Sequence, residues 1–374
     1  MKVLFSASIV GHFKNFHVPY LQYFKNNGFE VHTIAGGENA IACVDRHFDI
    51  PFSRSPLSTG NLSCYRALKK VIDENQYDVI HCHTPVVGVL TRLAARKSRK
   101  RGTTVIYTAH GFHFFDGAPR LRARLFRMIE KMLCRYTDHL ITINQEDYEA
   151  ITKYHFKPGA FYKVPGVGTD AARFVVATPE MKSAARVKLN IDPGAFVLIF
   201  AAEYSHRKNQ KMLFEMMRLL KTSIPQVLLL LPGEGPLRNE YEKSIETLGL
   251  GEFVQLMGYR RDMDLLLCAS DVAVSSSVQE GMGLNLVEAM ATSLPVVATR
   301  IRGHVDVVQD GENGFLVELD DAQALADRLL LLYNDHEVCK NMRSKTRGLA
   351  QPFFLENAKA QMIKIYDAVI GAKG

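Results

Sequence analysis

The sequence lacks any pair of cysteines at the two-residue spacing of a zinc or redox motif. Its six cysteines, Cys43, Cys64, Cys82, Cys134, Cys268 and Cys339, are scattered, and no Cys/His cluster stands at zinc-ligand spacing. They read as reduced, mostly core residues of a cytosolic protein. Also missing is any apolar run approaching the roughly 18 residues of a membrane span. The short apolar run after Met1 is interrupted at His12 and Lys14, and no small-residue cleavage site follows. It reads as a first buried strand rather than a signal peptide. No nucleic-acid recognition motif is present, and basic residues are not interleaved with aromatics, so nucleic acid is not an expected partner. Nothing in the composition suggests disorder, and a soluble or peripheral protein is expected.

The chain has 374 residues, of which 47% are hydrophobic, and so exceeds the usual size of a single core. Two domains are the expected arrangement. The net charge of +7 is unevenly spread: residues 1–172 hold 23 Lys and Arg against 14 Asp and Glu, the remainder 23 against 25. The basic character therefore belongs to the first half.

Short apolar runs alternate with amphipathic segments. Val3–Ser6, Val31–Ala35, Val79–His83, Val105–Ala109 and Leu140–Ile143 read as strands; Tyr20–Asn27, stopped by Gly28, and Leu62–Glu74 read as helices between them. The pattern pauses at Val164-Pro165-Gly166-Val167-Gly168-Thr169-Asp170 and restarts after residue 195 with Phe196–Ala201, Val227–Leu231, Phe253–Met257, Asp271–Val274, Pro295–Ala298 and Gly314–Val317. This alternation implies an α/β fold of two parallel sheets with helices on both faces. Residues 1–172 are expected to form one domain and 173–353 the other, with a ligand cleft between the carboxyl ends of their strands. A final helix, about 354–374, carries Ala358, Met362, Ile365 and Val369 on one face and is expected to pack back on the first domain.

The most informative stretch is Glu280-Gly281-Met282-Gly283-Leu284-Asn285-Leu286-Val287-Glu288. Leu284, Val287, Met290 and Ala291 have helical spacing, which puts a helix start near Gly283. Free amides at such a start, with no side chain at Gly281 or Gly283, form an anion site at which a diphosphate can dock. A retaining glycosidase would need its two carboxyls about 5–5.5 Å apart. Eight residues of helix rise about 12 Å, so Glu280 and Glu288 suit two ends of one ligand better than one bond. The competing reading of these nine residues alone is a surface loop with one solvated and one capping Glu.

Several segments together resemble the retaining glycosyltransferases of family 4, which have the GT-B architecture of two facing Rossmann-like domains. They are Ser270-Asp271-Val272, Glu280 with Glu288-Ala289-Met290, Leu294-Pro295-Val296-Val297-Ala298-Thr299 and Asp310-Gly311-Glu312-Asn313-Gly314-Phe315-Leu316-Val317. Gly233-Glu234-Gly235-Pro236-Leu237, Gly258-Tyr259-Arg260-Arg261-Asp262, Arg207-Lys208-Asn209 and Thr108-Ala109-His110-Gly111-Phe112-His113 support them, the last resembling enzymes that build bacterial surface polysaccharides. The resemblance implies that Glu280 contacts donor-sugar hydroxyls, Glu288 holds ribose hydroxyls, and amides at Gly283, Leu284 and Asn285 bind the diphosphate. It implies that Lys208 pairs with the diphosphate, Tyr259 lies beside the nucleobase, Gly11 faces the diphosphate, and His110 reaches the transferred sugar. The chain departs from the family where Gly-Arg is common before the lysine, having Ala202-Glu203 instead; Arg207 is the candidate second cation. His83 also ends a strand, but a buried or loop histidine explains it equally well.

Asp262-Met263-Asp264 has the spelling of a metal-binding Asp-x-Asp, yet it opens a helical pattern. Asp262 reads as an N-cap and Asp264 as a first-turn acid, so no metal or other cofactor is expected. The basic stretch Arg92–Arg101 and the segment Arg120–Arg135 stand out in the first half. In the latter, Leu121, Leu125, Met128, Ile129, Met132 and Leu133 form one face flanked by Arg120, Arg122, Arg124, Arg127 and Lys131. Such a helix can rest on anionic lipid, or pack on its own sheet with a solvated basic face. The function that the resemblance implies is transfer of a hexose or N-acetylhexosamine from a UDP-sugar to a lipid-linked acceptor at the inner face of the cell membrane. A UDP-sugar epimerase of similar architecture, or an inactive glycosyltransferase-like assembly partner, is the alternative.

Overall fold

The computed structural model describes residues 1–38 and 40–371. The chain divides into two compact units: Met1–Gly168 together with the segment from Glu356 onward, and Thr169–Leu355.

The first unit has seven strands, β1 (Lys2–Ile9), β2 (Glu30–Gly36), β3 (Arg46–Asp49), β4 (Val79–Cys82), β5 (Thr104–Ala109), β6 (His139–Thr142) and β7 (Ala160–Lys163). All pair in parallel, in the order β3-β2-β1-β4-β5-β6-β7. Its helices are α1 (Val10–Phe16), α2 (Val18–Asn26), α3 (Gly60–Asn75), α4 (Pro85–Ala94), α5 (Arg96–Arg99), α6 (Arg120–Leu133) and α7 (Gln145–Lys153). Parallel strands need crossovers, and right-handed crossovers from both sides of β1 place helices on both faces. The central strands are buried on both sides and read as continuous apolar runs, which is why Val79-Ile80 and Val105-Ile106 mark them plainly.

Two strands escape the sequence pattern. β3, Arg46-His47-Phe48-Asp49, and β7, Ala160-Phe161-Tyr162-Lys163, are the two edges of the sheet, and every one of their residues keeps some solvent exposure. An edge that faces water needs no apolar run.

The second unit holds α8 (Pro179–Lys188), β8 (Phe196–Ile199), α9 (Gln210–Leu220), β9 (Val227–Pro232), α10 (Arg238–Thr247) and β10 (Val254–Gly258). It continues with α11 (Met263–Ala269), β11 (Val272–Ser275), α12 (Leu284–Ala291), β12 (Val296–Thr299), β13 (Gly314–Val317), α13 (Ala322–Asn334) and α14 (His336–Ala350). Its six parallel strands run β10-β9-β8-β11-β12-β13. One core, with Leu213, Met217, Leu229 and Leu329, fills the side covered by α9 and α13; another, with Val197, Leu266, Leu286 and Met290, fills the side covered by α11 and α12. The order reverses between β1 and β4 in the first unit and between β8 and β11 in the second. Ligands of open parallel sheets collect at such reversals, beyond the strands' carboxyl ends.

The last helix, α15 (Leu355–Gly371), joins the first unit, where Tyr366 is fully buried with its ring 4.7 Å from that of Phe24. All six cysteines are free thiols. Among the described residues no helix is long and apolar enough to cross a membrane.

Candidate functional site

Lys208 lies in the loop after β8, and Glu280 in the loop after β11, so the strand-order reversal of the second unit brings them together. Lys208 Nζ donates to Glu280 Oε1, and Arg207 Nη1 stands 3.3 Å from Glu280 Oε2. Glu280 is only 6% exposed. Burial alone would favour its protonated form, but Lys208 and then Arg207 outweigh that and hold its pKa below the usual carboxylate value.

The lysine loop is tied down from several sides. Ser276 Oγ donates to the Lys208 carbonyl at 2.9 Å, and the Val278 amide donates to the Arg207 carbonyl at 2.9 Å. The buried Tyr204 donates its hydroxyl to the Leu231 carbonyl at 2.6 Å. The Gly233-Glu234-Gly235 segment packs against this loop so tightly that a Cβ on Gly233 would lie 1.9 Å from the Ala202 carbonyl oxygen, and one on Gly235 2.4 Å from that of Tyr204. Those glycines thus serve the placement of Lys208. Glu203, at the departure from the family pattern, is exposed, and Arg207 stands with Lys208 beside Glu280.

Helix α12 begins at Leu284 with Gly283 at its N-cap and no side-chain cap. The Leu284 amide, expected to meet a diphosphate, is turned back to the Met282 carbonyl at 3.0 Å, because a tight turn enters the helix there. Gly283 is buried, and a Cβ on it would come 3.1 Å from Leu286 Cδ1 and 3.2 Å from His304 Cδ2. Packing therefore accounts for this glycine irrespective of a phosphate. Asn285 is partly exposed in the first turn. Glu288 lies one turn further on; burial pushes its carboxyl up to about 7, with Arg173 acting in the opposite direction. His304, which the sequence reading passed over, is fully buried beside this segment, with Nδ1 2.8 Å from the Thr299 carbonyl and Nε2 3.2 Å from Ser275 Oγ.

Tyr259 is 73% exposed. Asp262 does occupy the N-cap of α11, but its side chain caps nothing: Arg260 takes both carboxylate oxygens, at 2.8 and 2.6 Å. Asp264 stands 3.4 Å from Arg173. An arginine beside each acid leaves the Asp-x-Asp spelling a pair of ion pairs.

In the first unit the reversal gathers histidines. His12 and His17 follow β1, His83 follows β4 and His110 follows β5, three neighbouring strands. His17 Nε2 is 3.0 Å from His12 Nε2, and His83 Nδ1 is 3.3 Å from His110 Nε2. His17 and His83 are buried, His12 and His110 partly exposed. Burial, followed by the mutual repulsion that protonation would bring, lowers the pKa of His12 to about 3; burial lowers that of His110 to about 4. These imidazoles are neutral at ordinary pH. His81 lies behind them with both nitrogens satisfied, 2.8 Å from the Tyr366 hydroxyl and 2.8 Å from Thr108 Oγ1. His12 and His17 could not be singled out from sequence, since only the strand order joins them to His83 and His110. Gly11 sits in the first turn of α1, where a Cβ would meet only Ile9 Cδ1 at 3.8 Å.

The two basic stretches separate. Arg92 is no surface base: it is fully buried, stacked 3.9 Å over the Tyr107 ring, and makes a bidentate pair with Glu130 of α6 at 2.8 and 3.2 Å. Gly88 allows α4 to approach that ring, since a Cβ there would lie 2.6 Å from Tyr107 Cε2. The expected apolar face of α6 is divided. Leu133 is buried with Glu130, whereas Leu121, Leu125, Met128 and Met132 are 85%, 51%, 63% and 46% exposed. Arg120, Arg124 and Lys131 are exposed, while Arg127 stacks 4.3 Å over Tyr154.

Residues 181–349 match the family model described as glycosyl transferases group 1, and residues 20–166 match that of glycosyltransferase family 4. A Bacillus subtilis (strain 168) protein named "Putative glycosyltransferase EpsD" is 43% identical over 98% of this chain and 96% of its own length. The Escherichia coli UDP-Gal:alpha-D-GlcNAc-diphosphoundecaprenol alpha-1,3-galactosyltransferase is 29% identical over 76% of this chain and 73% of its own. Among solved structures, Anabaena Alr3699/HepE in complex with UDP and glucose superposes with a TM-score of 0.81 at 22% identity, covering 98% of this chain and all of that one, and supports the GT-B fold. With a parallel sheet in each unit and both family models matched along its length, the chain belongs to the family 4 glycosyltransferases and is a glycosyltransferase.

Proposed function

We propose that this enzyme transfers a hexose or N-acetylhexosamine from a UDP-sugar, with retention of configuration, to a lipid-linked saccharide on the inner face of the cell membrane, in surface-polysaccharide assembly. The observation that carries the proposal is the convergence of Lys208 and Arg207 on Glu280, at the strand-order reversal that also leads into α12. An arriving diphosphate draws on the Lys208 and Arg207 charges and on the first-turn amide of Asn285, and the two cations stabilise the charge that develops on the leaving phosphate without calling for a metal. Glu280 accepts hydrogen bonds from the sugar hydroxyls, and Glu288 from those of the ribose. Family correspondence gives Tyr259 to the base, Gly11 to the diphosphate and His110 to the transferred sugar.

The resemblance to retaining family 4 enzymes supplies the mechanism: the acceptor hydroxyl attacks on the face that UDP leaves, and the departing phosphate takes its proton. Relatives support the reading of donor and acceptor: one binds UDP with glucose, and another is named for a diphosphoundecaprenol acceptor. The exposed stripe Leu121, Leu125, Met128 and Met132, bordered by Arg120, Arg124 and Lys131, suits an anionic bilayer surface.

The test is a thermal-shift panel of nucleotides and UDP-sugars, followed by transfer of radiolabelled sugar to a membrane lipid extract. A UDP-sugar should raise the melting temperature by mass action and its label should appear in the lipid phase. Label in a new UDP-sugar without acceptor would mark an epimerase, and no shift with any UDP-sugar would mark an inactive partner.

A further inference from the structure

The four histidines of the first unit, His12, His17, His83 and His110, each direct one ring nitrogen into a common space, and those nitrogens all lie within 4.8 Å of one another. We propose that they form a binding site for one divalent transition-metal ion of the imidazole-preferring class, with zinc as its representative.

The geometry is close to what such an ion needs. Zinc–nitrogen bonds of about 2.0–2.1 Å in a tetrahedron separate neighbouring ligand nitrogens by about 3.3 Å. His12 Nε2 and His17 Nε2 are 3.0 Å apart, and His83 Nδ1 and His110 Nε2 are 3.3 Å apart. A small inward movement of side chains closes the remaining distances.

The chemistry agrees. Metal binding needs the neutral imidazole lone pair, and burial keeps these rings neutral. No carboxylate belongs to the set, so an all-nitrogen environment is offered, which suits zinc, cobalt, nickel or copper rather than magnesium or calcium. His81 provides a contrast within the same core: hydrogen-bonded at both nitrogens, it stays outside the set. His17 Nδ1 and His83 Nε2, in contrast, are buried without a hydrogen-bond partner among the described residues. A metal takes one nitrogen of each ring and leaves the other protonated, and behind His17 and His83 no carbonyl or carboxylate among the described residues receives that proton. The site therefore lacks the outer-shell support worth about 10–100-fold in affinity per partner, and micromolar rather than tighter binding is expected. His12 and His110, both partly exposed, give the ion its way in.

The site does not depend on the assigned sugar transfer, and its test uses neither donor nor acceptor. Chelator-stripped protein is titrated with cobalt(II). One equivalent should bind, give the intense visible absorption of a tetrahedral cobalt centre, and be displaced by zinc. His12→Ala and His110→Ala, at partly exposed positions, should each weaken binding at least tenfold with the circular dichroism unchanged. His155→Ala, at an exposed histidine elsewhere, should leave it intact. If folding of a variant is impaired, zinc-dependent protection of the wild-type histidines from diethyl pyrocarbonate supplies the same comparison. Absence of stoichiometric cobalt or zinc binding, or binding unchanged in the His12→Ala/His110→Ala double variant, would overturn the proposal.

Discussion

Lys208 Nζ is hydrogen-bonded to Oε1 of Glu280, a carboxyl that solvent barely reaches. Breaking a fully buried pair by removing one partner costs about 3–5 kcal/mol, because it strands a charge. Arg207, half exposed, keeps part of the compensation here, so Lys208→Ala should destabilise the protein by about 2 kcal/mol. The double variant Lys208→Met/Glu280→Gln should regain most of this in urea denaturation yet remain without transferase activity. A double variant no more stable than the single would show that the pair contributes nothing by neutralising Glu280.

The same two residues should separate in kinetics. On the proposed reading Glu280→Ala removes a partner of the sugar, and it should abolish turnover while leaving the dissociation constant of UDP within a few-fold. Lys208→Ala should weaken UDP and slow transfer together. Calorimetry with UDP alongside steady-state rates distinguishes the patterns.

Glu288 has a folded pKa of about 7 against an ordinary value of 4.5. The folded protein thus holds a proton that the unfolded chain has released. The associated stability is present below about pH 4.5 and is lost as pH rises through 7. At pH 8 the charged Glu288 costs at most about 3 kcal/mol, less the share that solvent screens. Glu288→Gln should therefore be more stable than wild type at pH 8, with the difference vanishing below pH 5, while its affinity for UDP falls.

The histidines act with the opposite sign. Their folded pKa values, about 3 for His12 and about 4 for His110, lie below the ordinary 6.5, and those of His17, His81 and His83 are also well lowered by burial. Stability from keeping them neutral is full above pH 6.5 and is lost as pH falls toward 4. The melting temperature should drop from pH 6.5 downward, and more gently in His12→Gln/His110→Gln.

Glu130→Ala should cost about 3–5 kcal/mol, because Arg92 would remain buried above Tyr107 without its carboxylate. Thermal unfolding checks this. A change under 1 kcal/mol would mean that water reaches the guanidinium.

Flotation on vesicles of anionic phospholipid should show binding that falls with salt. Leu121→Ser/Leu125→Ser should abolish it, and Arg120→Ala or Arg124→Ala should each weaken it about fivefold, near 1 kcal/mol per basic residue at an anionic surface.

Much of this molecule can be read from its residues in order, because central parallel strands are apolar throughout and the Glu280–Glu288 segment carries its own helix start. The edge strands β3 and β7 are hidden, since water satisfies what a core would otherwise demand. Arg92 passes as one of a basic run because its partner lies 38 residues away on another helix. The histidine cluster is invisible for a related reason: its members are separated by irregular intervals, and adjacency arises only when β1, β4 and β5 lie side by side. Asp262 shows the converse limit, a residue at the predicted position whose side chain is claimed by Arg260.

Helix α15 supplies Tyr366 to the interior of the first unit, hydrogen-bonded to His81, stacked on Tyr23 and tilted against Phe24. During synthesis, residues 169–355 are all joined before that tyrosine is added. The second unit thus comes from one uninterrupted stretch of chain, whereas the first is completed by a helix made after all of the second.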